Sequence, residues 1–186
     1  NEFKKIIKIN KKKKSGVFDC IVPVSGGKDG SYVSYILKKK FGLNILTVTS
    51  RPPLTMNVGE KNLSNFVRSG YDHIHVTPHE EVMRKINKIG FIEMGFPYYG
   101  WLISIFTLVI KTAIQFEIPL IVYGEDGEIE YGGSSENLNK LIFKSKYIEK
   151  IYLEQGYKKV IKAAKLSKKE LFWFELPKNK KKFNIY

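Results

Sequence analysis

Short β-rich apolar runs alternate along the chain with longer stretches whose apolar residues recur every three or four positions. That change of period separates strands from helices. The first run, Phe18 to Val24, is apolar except for Asp19 and breaks at Ser25-Gly26-Gly27. It predicts a buried strand ending in a tight turn. From Gly30 to Phe41, Tyr32, Val33, Ile36 and Leu37 share one predicted helical face, and Gly42 supplies the stop. Asn44 to Ser50 predicts a second strand, ended by Arg51-Pro52-Pro53 because proline cannot continue a central strand. Asn57 to Ser69 predicts a helix with Leu63, Phe66 and Val67 inward, and His73 to Thr77 a third strand. Helical pattern returns over Glu80 to Ile89 and, mostly apolar, over Tyr99 to Phe116. Leu120 to Tyr123 predicts a fourth strand, running into Gly124-Glu125-Asp126.

Strands alternating with helices imply right-handed crossovers and a parallel sheet covered on both faces, an α/β, Rossmann-like fold. In such sheets ligands gather at the carboxyl ends of the strands, where the strand order reverses. The unusual residues fall there: Ser25 to Ser31, Thr49 to Arg51 and Gly124 to Gly133. The organisation read from the pattern is a basic flank over 1–15, a catalytic domain over 16–136 and a Lys-rich helical appendage over 137–186.

Charge changes this picture mainly by its distribution. The formal net charge is +14, yet residues 15–139 hold 11 Lys+Arg against 13 Asp+Glu. The excess therefore lies in the flanks, which could attract nucleic acid or anionic lipid or simply be solvated. A slightly acidic core argues against an RNA substrate at the predicted site. Cys20, the single cysteine, excludes an intrachain disulfide and a CxxC metal pair. It fits a reducing cytoplasm and reads as a core residue. No signal peptide is read at the start, and Trp101 to Ile110 is too short to span a bilayer. The first residue, Asn1, leaves room for a longer protein of which this is a piece.

Ser25-Gly26-Gly27-Lys28-Asp29-Gly30-Ser31 sits between a predicted strand and a predicted helix. Glycines let backbone N–H groups approach an anion, and the helix dipole adds partial positive charge. Ser25 and Ser31 offer hydroxyls and Lys28 a point charge. Asp29 can cap the helix or hold magnesium through water. Neither GxxxxGK[ST] nor GxGxxG is present. The segment resembles the SGGxDS signature of the PP-loop ATP pyrophosphatases, with Gly30 inserted before Ser31 as a departure that bears on the role of Ser31. The resemblance implies that the loop binds the β- and γ-phosphates of ATP, and that pyrophosphate is released as an oxygen of the substrate is adenylated.

Tyr35 to Asn44, Thr47 to Pro52, Ile118 to Glu125 and Glu130-Tyr131-Gly132-Gly133 extend the likeness over roughly Asp19 to Gly133. This set looks like the N-acetyl sugar amidotransferases of lipopolysaccharide and nonulosonic-acid biosynthesis. It implies a nucleotide-linked N-acetyl sugar as substrate, and a glutaminase subunit with a cyclase-like subunit as the source of ammonia. It also implies a longer chain with a Cys-rich segment ahead of this region. On this reading Ser25, Gly26, Gly27, Lys28, Asp29, Gly30, Ser31, Thr49, Ser50, Arg51 and Gly124 hold ATP. Lys28, Asp29 and Glu125 act in catalysis, Asp29 and Glu125 hold Mg2+, and Glu130, Tyr131 and Gly132 meet the substrate. The crowd of Glu125, Asp126, Glu128 and Glu130 otherwise reads as a solvated acidic turn. His73 and His75 share a strand face but lack a third ligand and read as ordinary polar positions. Two other readings stay open: a tRNA-modifying PP-loop enzyme of the lysidine synthetase or thiolase type, and a non-catalytic adenine-nucleotide-binding module.

Overall fold

The computed structural model of the protein describes residues 2–13, 15–124, 148–177 and 184–185. In chain order these form α1 (Glu2–Lys13), β1 (Cys20–Pro23), α2 (Lys28–Lys39), β2 (Ile45–Ser50), α3 (Asn57–Arg68), β3 (Asp72–Val76), α4 (Glu80–Met94), α5 (Tyr99–Gln115) and β4 (Leu120–Ile121). A π-helical turn (Ile148–Tyr152), α6 (Tyr157–Ala164) and β5 (Asn184–Ile185) follow. The strands form one parallel sheet in the order β3-β2-β1-β4-β5. The chain moves outward from β1 through β2 to β3 and then returns to the other side of β1, so the order reverses between β1 and β4.

Alternation along the strands divides the core in two. Cys20, Val22, Val24 and Ile45 face α1, α2 and α3, where they pack with Ile6, Ile7, Leu37 and Phe66. Ile21, Leu46, Val48 and Ile121 face α4 and α5, with Met83, Ile86, Ile103 and Ile110. Ile148, Leu153, Val160 and Phe174 join that second cluster. All six residues of β2 are buried, whereas β3, at the sheet edge, is only partly so. α5 is apolar around most of its circumference and is buried accordingly. No single helix among the described residues is long and apolar enough to cross a membrane; α4 and α5 pass that test only together, and they are bent by 117°.

One element was not expected from the pattern, and three expectations are corrected. The basic N-terminal stretch forms α1, because Ile6, Ile7 and Asn10 recur on one face and are buried. α2 begins at Lys28 rather than Gly30, and its inward face is Val33, Ser34 and Leu37; Tyr32 is 65% exposed. α4 runs past Ile89 to Met94, ending at Gly95 in the left-handed region (φ 69°). β4 pairs over two residues instead of four, for a reason that lies in β1. Val122 donates its N–H to the Ile21 carbonyl at 3.0 Å, continuing the Ile21–Ile121 register. The next donor in that register would be Pro23, which has no N–H. β1 continues on its other side, where Val24 N–H reaches Val48 O at 2.9 Å. Proline thus ends the β1–β4 ladder at the carboxyl edge, where the strand order reverses.

Candidate functional site

The turn after β1 lies at that reversal point. Gly26 takes φ +83°, and a Cβ there would stand 2.6 Å from the backbone nitrogen of Leu63 in α3. A side chain is excluded by both conformation and space. Gly27 is the N-cap residue of α2 in extended conformation, and no side chain caps the helix. The amides of the first turn, Lys28, Asp29 and Gly30, have no carbonyl within the helix to bond. Gly27 N–H has only a long contact, 3.4 Å, to Ser25 Oγ. A helix start whose amides lack intrahelical acceptors and carry the positive dipole end is an anion seat.

Gly124, just past β4, closes the other side. A Cβ there would fall 2.7 Å from the carbonyl carbon of Asp29 and from Gly30 N. The chain leaving β4 therefore runs directly against the first turn of α2. Glu125, Glu130, Tyr131 and Gly132, named from the sequence for catalysis, metal and substrate, lie outside the described residues, as do Asp126, Glu128 and Gly133.

The polar side chains of the turn are placed less uniformly than the motif suggests. Lys28 Nζ meets both carboxylate oxygens of Asp29, at 2.9 and 3.2 Å. The lysine side chain is 88% exposed and the aspartate 38%, and exposed pairs contribute only about 0–1 kcal/mol. The pair with Asp29 therefore holds Lys28 only weakly. Asp29 lies within the first helical turn rather than at the cap. Ser31 Oγ donates to Gly27 O at 2.7 Å, so its proton is engaged inside the helix. Ser34 does the same to Gly30 O.

Thr49, Ser50 and Arg51 end β2 beside this turn. Thr49 Oγ1 donates to Val24 O, and Ser50 Oγ bonds Ser104 Oγ at 2.8 Å. Both residues are buried, so their hydroxyls serve the packing of β2 against β1 and α5. Trp101 donates its indole N–H to Ser50 O at 3.2 Å, and Tyr99 is buried with its hydroxyl on Leu153 O. Arg51 alone of the three is exposed. It faces Glu60 of α3 at 3.7 Å and lines an open cleft of about 510 Å³ between the β2–α3 loop and α4. The sequence reading missed the opposite wall, Arg84 and Asn87 of α4. Its only signal was the i,i+4 spacing of Glu80 and Arg84.

Among the described residues no three His, Cys, Asp or Glu side chains group to hold a metal ion. Magnesium at the turn would rely on Asp29 and on phosphate oxygens, the usual arrangement for that ion. His73 and His75 stand with ring centroids 6.1 Å apart. Thr47 Oγ1 gives its proton to Asp72 O at 2.8 Å, so His73 Nδ1, 3.0 Å away, must be the donor to Thr47. Nε2 is then unprotonated, and it is buried without a hydrogen-bond partner. Burial first, and His75 second, push the His73 pKa down to about 4. Because the folded value is below that of the unfolded chain, stability is full above about pH 6.5 and falls as pH drops toward 4. The loss is expected to be about 1 kcal/mol, discounted because the ring is only partly buried. Thermal melts at pH 7 and pH 4.5 check this, and in His73→Asn, which keeps a donor for Thr47, that part of the pH dependence disappears.

Comparison with protein-family models and with curated proteins finds no match. Among solved structures the chain is similar to the NH3-dependent NAD synthetase of Campylobacter jejuni, solved in complex with nitrate. Identity is 12%, the match covers 94% of this chain and 96% of that one, and the TM-score is 0.50. It is also similar to a predicted subunit of tRNA methyltransferase from Methanocaldococcus jannaschii, at 22% identity over 80% of this chain and 74% of that one, TM-score 0.45. The likeness to the synthetase is one of fold: a parallel sheet wrapped by helices.

Proposed function

We propose that the chain is the synthetase component of an ATP-dependent amidotransferase that splits ATP into AMP and pyrophosphate. One observation carries the reading. The uncapped start of α2 stands at the sheet's reversal point, walled by Gly26 against α3 and by Gly124 against its own first turn. First-turn amides without intrahelical acceptors, a positive dipole end and Lys28 suit a polyphosphate. They are placed to stabilise the charge that grows on departing pyrophosphate. Asp29 and the nucleotide's phosphates would hold Mg2+, which offsets phosphate charge when bound.

The acceptor in this proposal is a nucleotide-linked N-acetyl sugar. Its amide oxygen attacks the α-phosphorus and pyrophosphate leaves; ammonia then adds to the activated carbon, and AMP leaves with the oxygen to give an acetamidino group. Two things support the amination. The motifs of the chain resemble the sugar amidotransferases, and the NAD synthetase of similar fold is itself NH3-dependent. The one cysteine cannot act as a glutaminase nucleophile, since burial first and Asp19 second push the Cys20 thiol up to about 12. Ammonia would thus come from separate glutaminase and cyclase-like subunits, in the cytoplasm.

A second reading, a tRNA-modifying PP-loop enzyme, is favoured by the exposed lysines of α1, Lys4, Lys5, Lys8, Lys11 and Lys12. The buried Cys20 counts against its thiolase form. The test supplies the chain with ATP, Mg2+, ammonium and a panel of nucleotide-linked N-acetyl sugars. AMP and pyrophosphate in equal amounts, with nitrogen replacing an amide oxygen in one sugar, is the expected result. ADP and phosphate as products would contradict the whole reading, and turnover with tRNA alone would select the second one.

A further inference from the structure

The cleft is lined by no residue of the Ser25–Ser31 turn. It has a volume of about 510 Å³, within the usual range of small-molecule sites, about 300–1,000 Å³. Pro52, Pro78 and Met83 give it apolar surface, and Arg51, Arg84 and Asn87 are among its polar groups. Asn87 is fixed by its own duty: its side-chain oxygen accepts Gly100 N–H at 2.8 Å and Trp101 N–H at 3.3 Å, capping α5 from α4. What Asn87 can offer a ligand is its NH2 group.

The two arginines come from different connections, one after β2 and one on α4, and each meets a single carboxylate. Arg51 Nη2 is 3.7 Å from Glu60 and Arg84 Nη2 is 3.0 Å from Glu80. Both pairs are exposed, so they contribute little and exchange readily. A guanidinium in contact with one carboxylate oxygen retains most of its fork of donors, which matches a phosphate or carboxylate in two-pronged fashion. Glu60 also fixes where the cleft lies. It sits on α3 one turn before Leu63, whose backbone closes against Gly26. The same stretch of α3 therefore borders the phosphate-binding turn and the arginine wall of the cleft.

We infer that this cleft seats the second substrate, and that the substrate carries an oxyanion group that Arg51 and Arg84 take up while its uncharged part rests on Pro52, Pro78 and Met83. The oxyanion is a phosphoester or a carboxylate; the guanidinium fork suits both. Glu80 lines the cleft as well, so it must yield Arg84 when the anion arrives, and it sets a limit on affinity. The inference rests on the turn being the nucleotide site, because only then is this ligand the second one. It shifts Arg51 from the nucleotide to its co-substrate.

The experiment titrates the full chain, saturated with Mg2+ and a non-hydrolysable ATP analogue, by calorimetry. The probes are UDP-N-acetylglucosamine, N-acetylglucosamine alone, and citrate. One oxyanion probe is expected to bind, and it names the source; the plain sugar should bind at least about ten-fold more weakly. Arg51→Gln and Arg84→Gln should each weaken that probe about ten-fold, and Glu80→Gln should strengthen it, with analogue affinity unchanged within about two-fold. Failure of both oxyanion probes to bind, or binding indifferent to both arginine variants, overturns the inference and leaves the ATP reading standing. Loss of analogue binding in Arg51→Gln returns Arg51 to the nucleotide and overturns it too. A wild-type chain that takes the probe at the arginines but never the analogue supports the cleft and removes the ATP site instead.

Discussion

Asp29→Ala and Lys28→Ala should each lower pyrophosphate release by at least about 100-fold, a loss of about 2.7 kcal/mol of transition-state stabilisation. The fold should not register either change. Both side chains lie on the exposed first turn of α2, and surface changes away from packed features usually stay within about 0.5 kcal/mol. The two variants should fail differently. Without Lys28 the turn keeps its amides but loses a full positive charge, so ATP affinity falls along with turnover. Without Asp29 the turn keeps Lys28 and its amides but loses the carboxylate proposed for Mg2+, so affinity should hold while turnover at saturating ATP collapses and the Mg2+ requirement rises. Steady-state kinetics over ATP and Mg2+, alongside thermal melts, separate these outcomes. Unchanged pyrophosphate release in either variant would remove that residue from the mechanism.

Gly26→Ala should be the most damaging single methyl in the site. Two costs meet there. An L-residue at φ +83° pays a conformational cost of about 1 kcal/mol. The new Cβ would also stand 2.6 Å from Leu63 N and 2.9 Å from its Cα, both backbone atoms of α3 that cannot turn aside. Either α3 withdraws from the turn or the turn lifts from the sheet, and each breaks the geometry of the first-turn amides. ATP affinity is expected to fall at least about ten-fold, with a stability loss of about 1–3 kcal/mol. Gly42→Ala is the control: Gly42 also has positive φ, +59°, but nothing lies within 4 Å of its would-be Cβ. It should show the conformational cost alone and keep ATP affinity. Equal losses of affinity in the two variants would mean that the contact between Gly26 and α3 does not matter.

The sequence was most legible where one physical rule acts without competition. A near-continuous apolar run marked β1 because both faces are covered, and the Ser25–Gly27 break marked the turn between β1 and α2. It was least legible where the outcome depends on a neighbour distant in the chain. Tyr32 fits a helical face by spacing, but the start of α2 two residues earlier, against Gly124, turns that face so that Ser34 is buried instead. β4 has the composition of a longer strand, and only its register against Pro23 shows why pairing stops. α1 was hidden under its lysines, whose number masks the buried pair Ile6 and Ile7. At the site, Thr49 and Ser50 carry the right chemistry for a ligand but are engaged with Val24 and Ser104. The arginine cleft combines the β2–α3 loop, the β3–α4 connection and α4, and no local pattern announces it.

Nucleotide binding is read most directly at the backbone amides at the mouth of β1. In a 15N-labelled sample titrated with Mg2+ and ATP, the resonances of Gly26, Gly27, Lys28, Asp29 and Gly30 should shift first and furthest, saturating together with Gly124. Saturable shifts that spare these residues, or none at all at millimolar ATP, would contradict the account.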